Sequence, residues 1–192
     1  MSLIVAYARD GVVYMGADTQ SSVGTTIERF VNESGYKITK MPNGMLVGVC
    51  GRAKGHQMII AQKSWFDVKP NETFDKRYIV NKIIPKLSEL MKSISDEAGA
   101  SSSCMSVRIL IGWKDKIYYI SRYFEVFECN SYVCIGSGSD YSKYHLSQIG
   151  PDDDINEGLL KALRAGATFE STVSAPYVLI DTKDNRYTVV ED

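Results

Sequence analysis

The order in which strand-like and helix-like segments follow one another constrains the fold of this chain more than any single motif does. Two β-rich runs, residues 3–7 and 12–18, flank Asp10-Gly11. An Asp-Gly step between such runs is a hairpin signal, because both residues tolerate positive φ. A polar stretch, 19–35, follows. Residues 36–41 and 45–50 form a second strand pair, turned at Pro42-Asn43-Gly44. Two helical stretches follow, 53–66 and 77–95. In the second, Ile79, Val80, Ile83, Ile84, Leu87, Leu90, Met91 and Ile94 share one stripe at helical spacing. Pro85 is a local objection to it, since an interior proline removes a hydrogen bond. Residues 98–103 are small and polar and suit a surface loop. Strands return at 105–113, 116–121 and 132–135, and helices at 140–148 and 155–170. A last hairpin, 177–181 with 186–190, turns around Lys183-Asp184-Asn185. Strand blocks segregated from helix pairs argue against a doubly wound parallel sheet, where the two alternate singly. They predict an α+β fold: two antiparallel sheets face to face, with a helix pair on each outer side.

Length and charge bound the function. With 192 residues the chain suits one domain, 1–192, and can bury a core without disulfide or metal staples. A net charge of -1 gives no basic field to recruit nucleic acid or an anionic membrane. No apolar run approaches the roughly 20 residues of a membrane span. The start of the chain lacks the basic and apolar regions of a secretory signal, so a cytoplasmic protein is expected. Cys50, Cys104, Cys129 and Cys134 form no Cys-x-x-Cys pair and have no histidine at zinc-site spacing. Reduced thiols, with neither metal nor cofactor, are the expectation. His56 and His145 stand alone and read as incidental. Asp152-Asp153-Asp154 precedes a helix, where negative charge is favourable; a metal site is the sharper alternative. The tyrosines between 118 and 123 read as strand-face or interface residues.

Several segments, taken in order, resemble the proteasome β-subunits and the bacterial HslV-type peptidase. They are Ser2-Leu3-Ile4-Val5, Asp10-Gly11-Val12-Val13, Gly16-Ala17-Asp18-Thr19-Gln20, Lys37-Ile38, Val49-Cys50-Gly51 and Gly136-Ser137-Gly138-Ser139. The likeness runs nearly the whole chain, whereas a lone Gly-Ser-Gly-Ser would carry almost nothing. It implies the four-layer αββα sandwich of N-terminal-nucleophile hydrolases. It also implies stacked hexameric or heptameric rings of identical subunits that cleave unfolded polypeptide inside a chamber. An ATP-dependent unfoldase is the partner such a chamber suggests.

The resemblance assigns roles residue by residue. Ser2, exposed by removal of Met1, would be the nucleophile and, through its α-amine, its own base. A hydroxyl is a weak nucleophile without a base beside it, and an α-amine has a reference pKa of about 7.7–8.0, close to working pH. Read alone, Ser2 is an ordinary second residue. Lys37 would stand beside the Ser2 hydroxyl and lower the pKa of both groups. Asp18 would hold Lys37. Gly51 would offer its N–H to the oxyanion, although a glycine there also suits a turn needing positive φ. Ser137 and Ser174 would support the amine, and Ser139 reads as the cap of the helix starting at 140. Ser22, Gly35, Val49, Arg52 and Ala53 would line the substrate groove, with Val49 as an apolar pocket wall. The chain departs from the family pattern at three places. Ser171 stands where many active members carry aspartate, and Ala175-Pro176 replace glycines. Arg52 replaces a glycine, and could narrow the groove, favour acidic substrates or face solvent. Two alternatives to a peptidase follow: a non-catalytic ring or scaffold subunit of this fold, and an amidase of the same type acting on a small amide.

Overall fold

The computed structural model describes residues 2–23, 26–30, 32–96 and 104–191. Met1 and the loop expected at 98–103 lie outside them. One five-stranded antiparallel sheet has the order β10-β1-β2-β11-β12, built from β1 Leu3–Arg9, β2 Val12–Asp18, β10 Tyr132–Gly136, β11 Tyr177–Asp181 and β12 Thr188–Val190. The other has the order β5-β6-β7-β8-β9, from β5 Ile38–Lys40, β6 Leu46–Gly51, β7 Val107–Trp113, β8 Lys116–Ile120 and β9 Val126–Cys129. The β1–β2 turn is Asp10-Gly11, at φ 52° and 77°, the pair of positive angles that matches strand twist.

Helices cover both outer faces. The second sheet carries α1 (Ala53–Ala61) and a composite helix made of α2 (Lys76–Tyr78), a π-turn at Ile79–Ile83 and α3 (Ile84–Asp96). The first carries α4 (Ser139–Ser147) and α5 (Ile155–Phe169). The expected layering, helices–sheet–sheet–helices, is therefore present. Strand alternation divides three cores between the layers. Ile4, Ala6, Val13, Met15 and Ala17 meet Ile38, Leu46 and Leu110 between the sheets. Leu3, Val5 and Leu179 face Leu159, Leu163 and Leu146 of the α4–α5 layer. Val47, Val49, Ile109 and Ile111 face Ile59, Ile83 and Leu87 of the α1–α3 layer. Both faces of the inner strands are buried, which is why they read as continuous apolar runs.

Four details differ from the expectations. In the polar stretch, where no strand was expected, β3 Gln20–Val23 and β4 Thr26–Arg29 form a separate hairpin. β9 was not expected. The objection from Pro85 is resolved by the π-turn just before it: the Ile84 N–H bonds the Ile79 carbonyl, five residues back, which leaves Pro85 in the first turn of α3, where no N–H is needed. Ser139 does not cap α4; Gly138, at φ 77°, is the cap and Ser139 is the first helical residue.

Candidate active site

The start of the chain is fixed from both sides. Ser2 is buried, and its carbonyl accepts the Ser137 N–H at 2.9 Å. Gly136, at φ 107°, makes this approach possible, since a Cβ there would overlap the Ser2 carbonyl oxygen. On the other side the Leu3 N–H donates to Asp18 Oδ1 at 2.8 Å. Asp18 ends β2, whose register sets Ala17 opposite Ile4, so its carboxylate reaches the first residues of β1.

Asp18 Oδ2 accepts the Lys37 ammonium at 2.7 Å and the Gln20 N–H at 3.2 Å. Lys37 Nζ also donates to the Gln20 carbonyl at 2.6 Å. The pair is enclosed: the Asp18 side chain is 0% exposed and that of Lys37 10%. Burial raises the Asp18 carboxyl above its ordinary value, against the pull of Lys37 and of the Leu3 and Gln20 N–H groups. Burial likewise lowers Lys37, against the attraction of Asp18. The result is a buried ammonium of reduced basicity, held one carboxylate away from the Leu3 amide and suited to lowering the pKa of a neighbouring hydroxyl or amine.

The other expected residues fall in different surroundings. Ser137 follows β10 and meets Ser2 through its backbone. Gly51 ends β6 at φ 133°, and a side chain there would collide with the Ser106 carbonyl. Arg52, the N-cap of α1, and Ala53, its first residue, are both exposed. Ser22 lies on β3, and its Oγ accepts Gln20 Nε2 at 3.1 Å. Gly35 ends a short 3-10 turn, Glu33–Gly35, before Tyr36. Val49, at 2% exposure, packs in the core beneath α1, because strand alternation turns it to the helix side. Ser174 Oγ accepts from Arg29 Nε at 3.3 Å and donates to the Ala175 carbonyl at 3.2 Å, so its described contacts run toward β4.

Two residues near the pair were given no role by the sequence. Gln20, 1% exposed, ties both partners of the ion pair through its backbone and donates from its side chain to Ser22 and to the Ser171 carbonyl, at 3.0 Å. Only its closeness to Asp18 could have pointed to it. His56, in the first turn of α1, is half-buried, and burial first and the Lys37 charge second hold its imidazole below its ordinary value. Elsewhere, Asp154 caps α5 by accepting the Glu157 N–H at 3.1 Å, and Asp153 accepts the Gly150 N–H at 2.8 Å. No group of acidic, histidine or cysteine side chains among the described residues could hold a metal. No helix there is long and apolar enough to cross a membrane.

No model of a known protein family matches the chain, and no curated protein sequence matches it. Solved structures do. BPH from Thiobacillus denitrificans, in complex with epoxomicin, superposes with a TM-score of 0.72 at 19% identity, covering 93% of this chain and 97% of that one. Anbu, an ancestral β-subunit, from Yersinia bercovieri gives 0.70 at 15% identity, covering 97% and 86%. HslV from Trypanosoma brucei gives 0.64 at 12% identity, covering 93% and 98%. Likeness at these identities is one of fold, and the fold is that of the proteasome-like N-terminal-nucleophile hydrolases.

Proposed function

We propose that this chain, built on the proteasome-like N-terminal-nucleophile fold, is a hydrolase that cleaves peptide bonds with the Ser2 hydroxyl once Met1 has been removed. The observation that carries the proposal is the Asp18 carboxylate. One oxygen accepts the Leu3 N–H at 2.8 Å and the other the Lys37 ammonium at 2.7 Å, so a buried cation and the residue after Ser2 share one anchor. The complex of Thiobacillus BPH with epoxomicin supports a reactive nucleophile in this fold.

Cleavage before Ser2 turns its nitrogen from an amide into an amine with a reference pKa of about 7.7–8.0. The neutral amine takes the Oγ proton as that oxygen bonds to the scissile carbonyl carbon, and then delivers the proton to the leaving amine. Lys37 favours the deprotonated forms of both groups. The Gly51 N–H is the proposed donor to the oxyanion, a contribution of about 3 kcal/mol. Water, activated by the same amine, then hydrolyses the Ser2 ester. Ser137 and Ser174 are proposed to support the amine, the latter after release from Arg29. Ser22, Gly35, Arg52 and Ala53 are proposed to border the groove, with Val49 as buried support. Stacked rings of the chain, unfolded polypeptide as substrate, an ATP-dependent unfoldase as partner and a cytoplasmic setting complete the reading.

Untagged protein from its own cell should have the intact mass of a chain starting at Ser2 and gain one equivalent of a β-lactone. Ser2→Ala should lose that adduct and slow peptide hydrolysis by about 10³-fold or more. Protein that keeps Met1 and binds no β-lactone refutes the proposal. A non-catalytic subunit is the second reading, favoured by the engagement of Ser174 with Arg29 and by Ser171. Turnover that depends on Lys37 rules it out. A small-amide substrate would go with a monomer or dimer rather than a closed ring.

A further inference from the structure

Lys37 immediately precedes β5, an edge strand of its sheet. Within the sheet, β6 holds that segment from one side only. The Val49 N–H donates to the Lys37 carbonyl at 2.9 Å, and the Met41 N–H to the Met45 carbonyl at 2.7 Å. Backbone groups alternate in direction along a strand, so those of Ile38 and Lys40, between these two bonds, point to the open edge. An open edge three residues long is a loose mount for an ammonium that meets Asp18 Oδ2 at 2.7 Å and the Gln20 carbonyl at 2.6 Å.

Tyr187, the residue before β12, closes that edge. Its hydroxyl accepts the Lys40 N–H at 3.1 Å and donates to the Ile38 carbonyl at 3.2 Å. One oxygen thus meets two backbone groups that a neighbouring strand would otherwise take. The ring stands edge-on to Tyr36, with centroids 5.1 Å apart and planes at 64°, and Tyr36 is itself buried. Lys37 therefore lies between a residue touched by the ring and one bonded by the hydroxyl. The turn that presents Tyr187 is tied to the same strand: Lys40 Nζ donates to the Asp181 and Thr182 carbonyls at 3.0 Å each, and to that of Asp184. Burial, against the pull of the Lys40 N–H, raises the Tyr187 phenol above its ordinary value, so the proton given to Ile38 is kept at neutral pH.

We infer that Tyr187 is a positioning residue for Lys37: its ring and hydroxyl hold the two residues that flank the lysine, and so set where the ammonium meets Asp18 and the Gln20 carbonyl. The inference rests on the proposed chemistry at Ser2 and adds to it a residue from the far end of the chain. With β6 on one edge and Tyr187 on the other, the base of the Lys37 side chain is fixed and only its own rotamers remain free. A misplacement on the order of 1 Å in such a group is enough to slow a reaction severalfold to a hundredfold.

Two measurements on the full chain decide it. Tyr187→Phe removes one oxygen and keeps the ring against Tyr36; Tyr187→Leu removes both contacts. NMR of the Lys37 side chain should show its titration midpoint moved upward in Tyr187→Phe, since burial is the largest influence on that ammonium and a loosened one regains water. A Lys37 signal that titrates as in the wild type overturns the inference whether or not Ser2 reacts. β-Lactone acylation of the processed protein should fall about tenfold at pH 7.5 in Tyr187→Phe and further in Tyr187→Leu. Asp154→Ala, which removes one hydrogen bond at the start of α5, should keep the wild-type rate. Wild-type acylation in Tyr187→Phe, or an equal loss in Asp154→Ala, overturns the inference. A wild-type chain that is never acylated refutes the Ser2 chemistry instead, and the Lys37 titration still judges the positioning.

Discussion

Lys37 and Asp18 stabilise each other only as a pair. Replacing Lys37 with Met would strand a carboxylate that is 0% exposed, at a cost of about 3–5 kcal/mol. Urea denaturation at pH 7 should read that loss, and adding Asp18→Asn should recover part of it. His56 gives the pH dependence its sign. Its folded pKa lies below the ordinary 6.5, so just below 6.5 the unfolded chain binds more protons than the native one. Stability from this group therefore rises with pH up to that value and is lost as pH falls below it. His56→Asn should flatten the fall of thermal midpoint with acid across that window. The pairing of Asp18 with Lys37 was legible only through the resemblance, whose short segments carry both residues. Gln20 was not, because it meets the pair through its main chain.

At the scale of elements, legibility followed burial. The inner strands alternate between two packed faces and were found within a residue or two. The β3–β4 hairpin and β9 were not: all four residues of β4 are exposed, and of β9 only Val126 is buried, so neither shows the apolar alternation that marks a strand. The helix through Pro85 was legible, but its π-turn was not, since a stripe of apolar residues tolerates one wide turn. Two element ends can be tested. Asp154→Ala should cost about 1 kcal/mol by leaving the Glu157 N–H of α5 unpaired, read as a lower denaturation midpoint at unchanged slope. Gly136→Ala should cost more. It forces a side chain into φ 107° and against the Ser2 carbonyl, and should remove β-lactone labelling together with stability.

At the scale of the molecule, the four layers put the Asp18–Lys37 pair between strand ends of the two sheets. Asp18 closes β2 of one sheet, and Lys37 precedes β5 of the other, so their 2.7 Å contact bridges the sandwich. The rings proposed for this chain should appear in analytical ultracentrifugation as a closed particle of about 12 or 14 subunits, and a stable monomer would argue for the small-amide alternative. Ser2 is held through its carbonyl, and Leu3 through its N–H; neither bond uses the Ser2 nitrogen. Trimming the chain ahead of Ser2 would then be like drawing a safety pin. In the proposed chemistry those two anchors are set beforehand, and a single severed bond frees the amine.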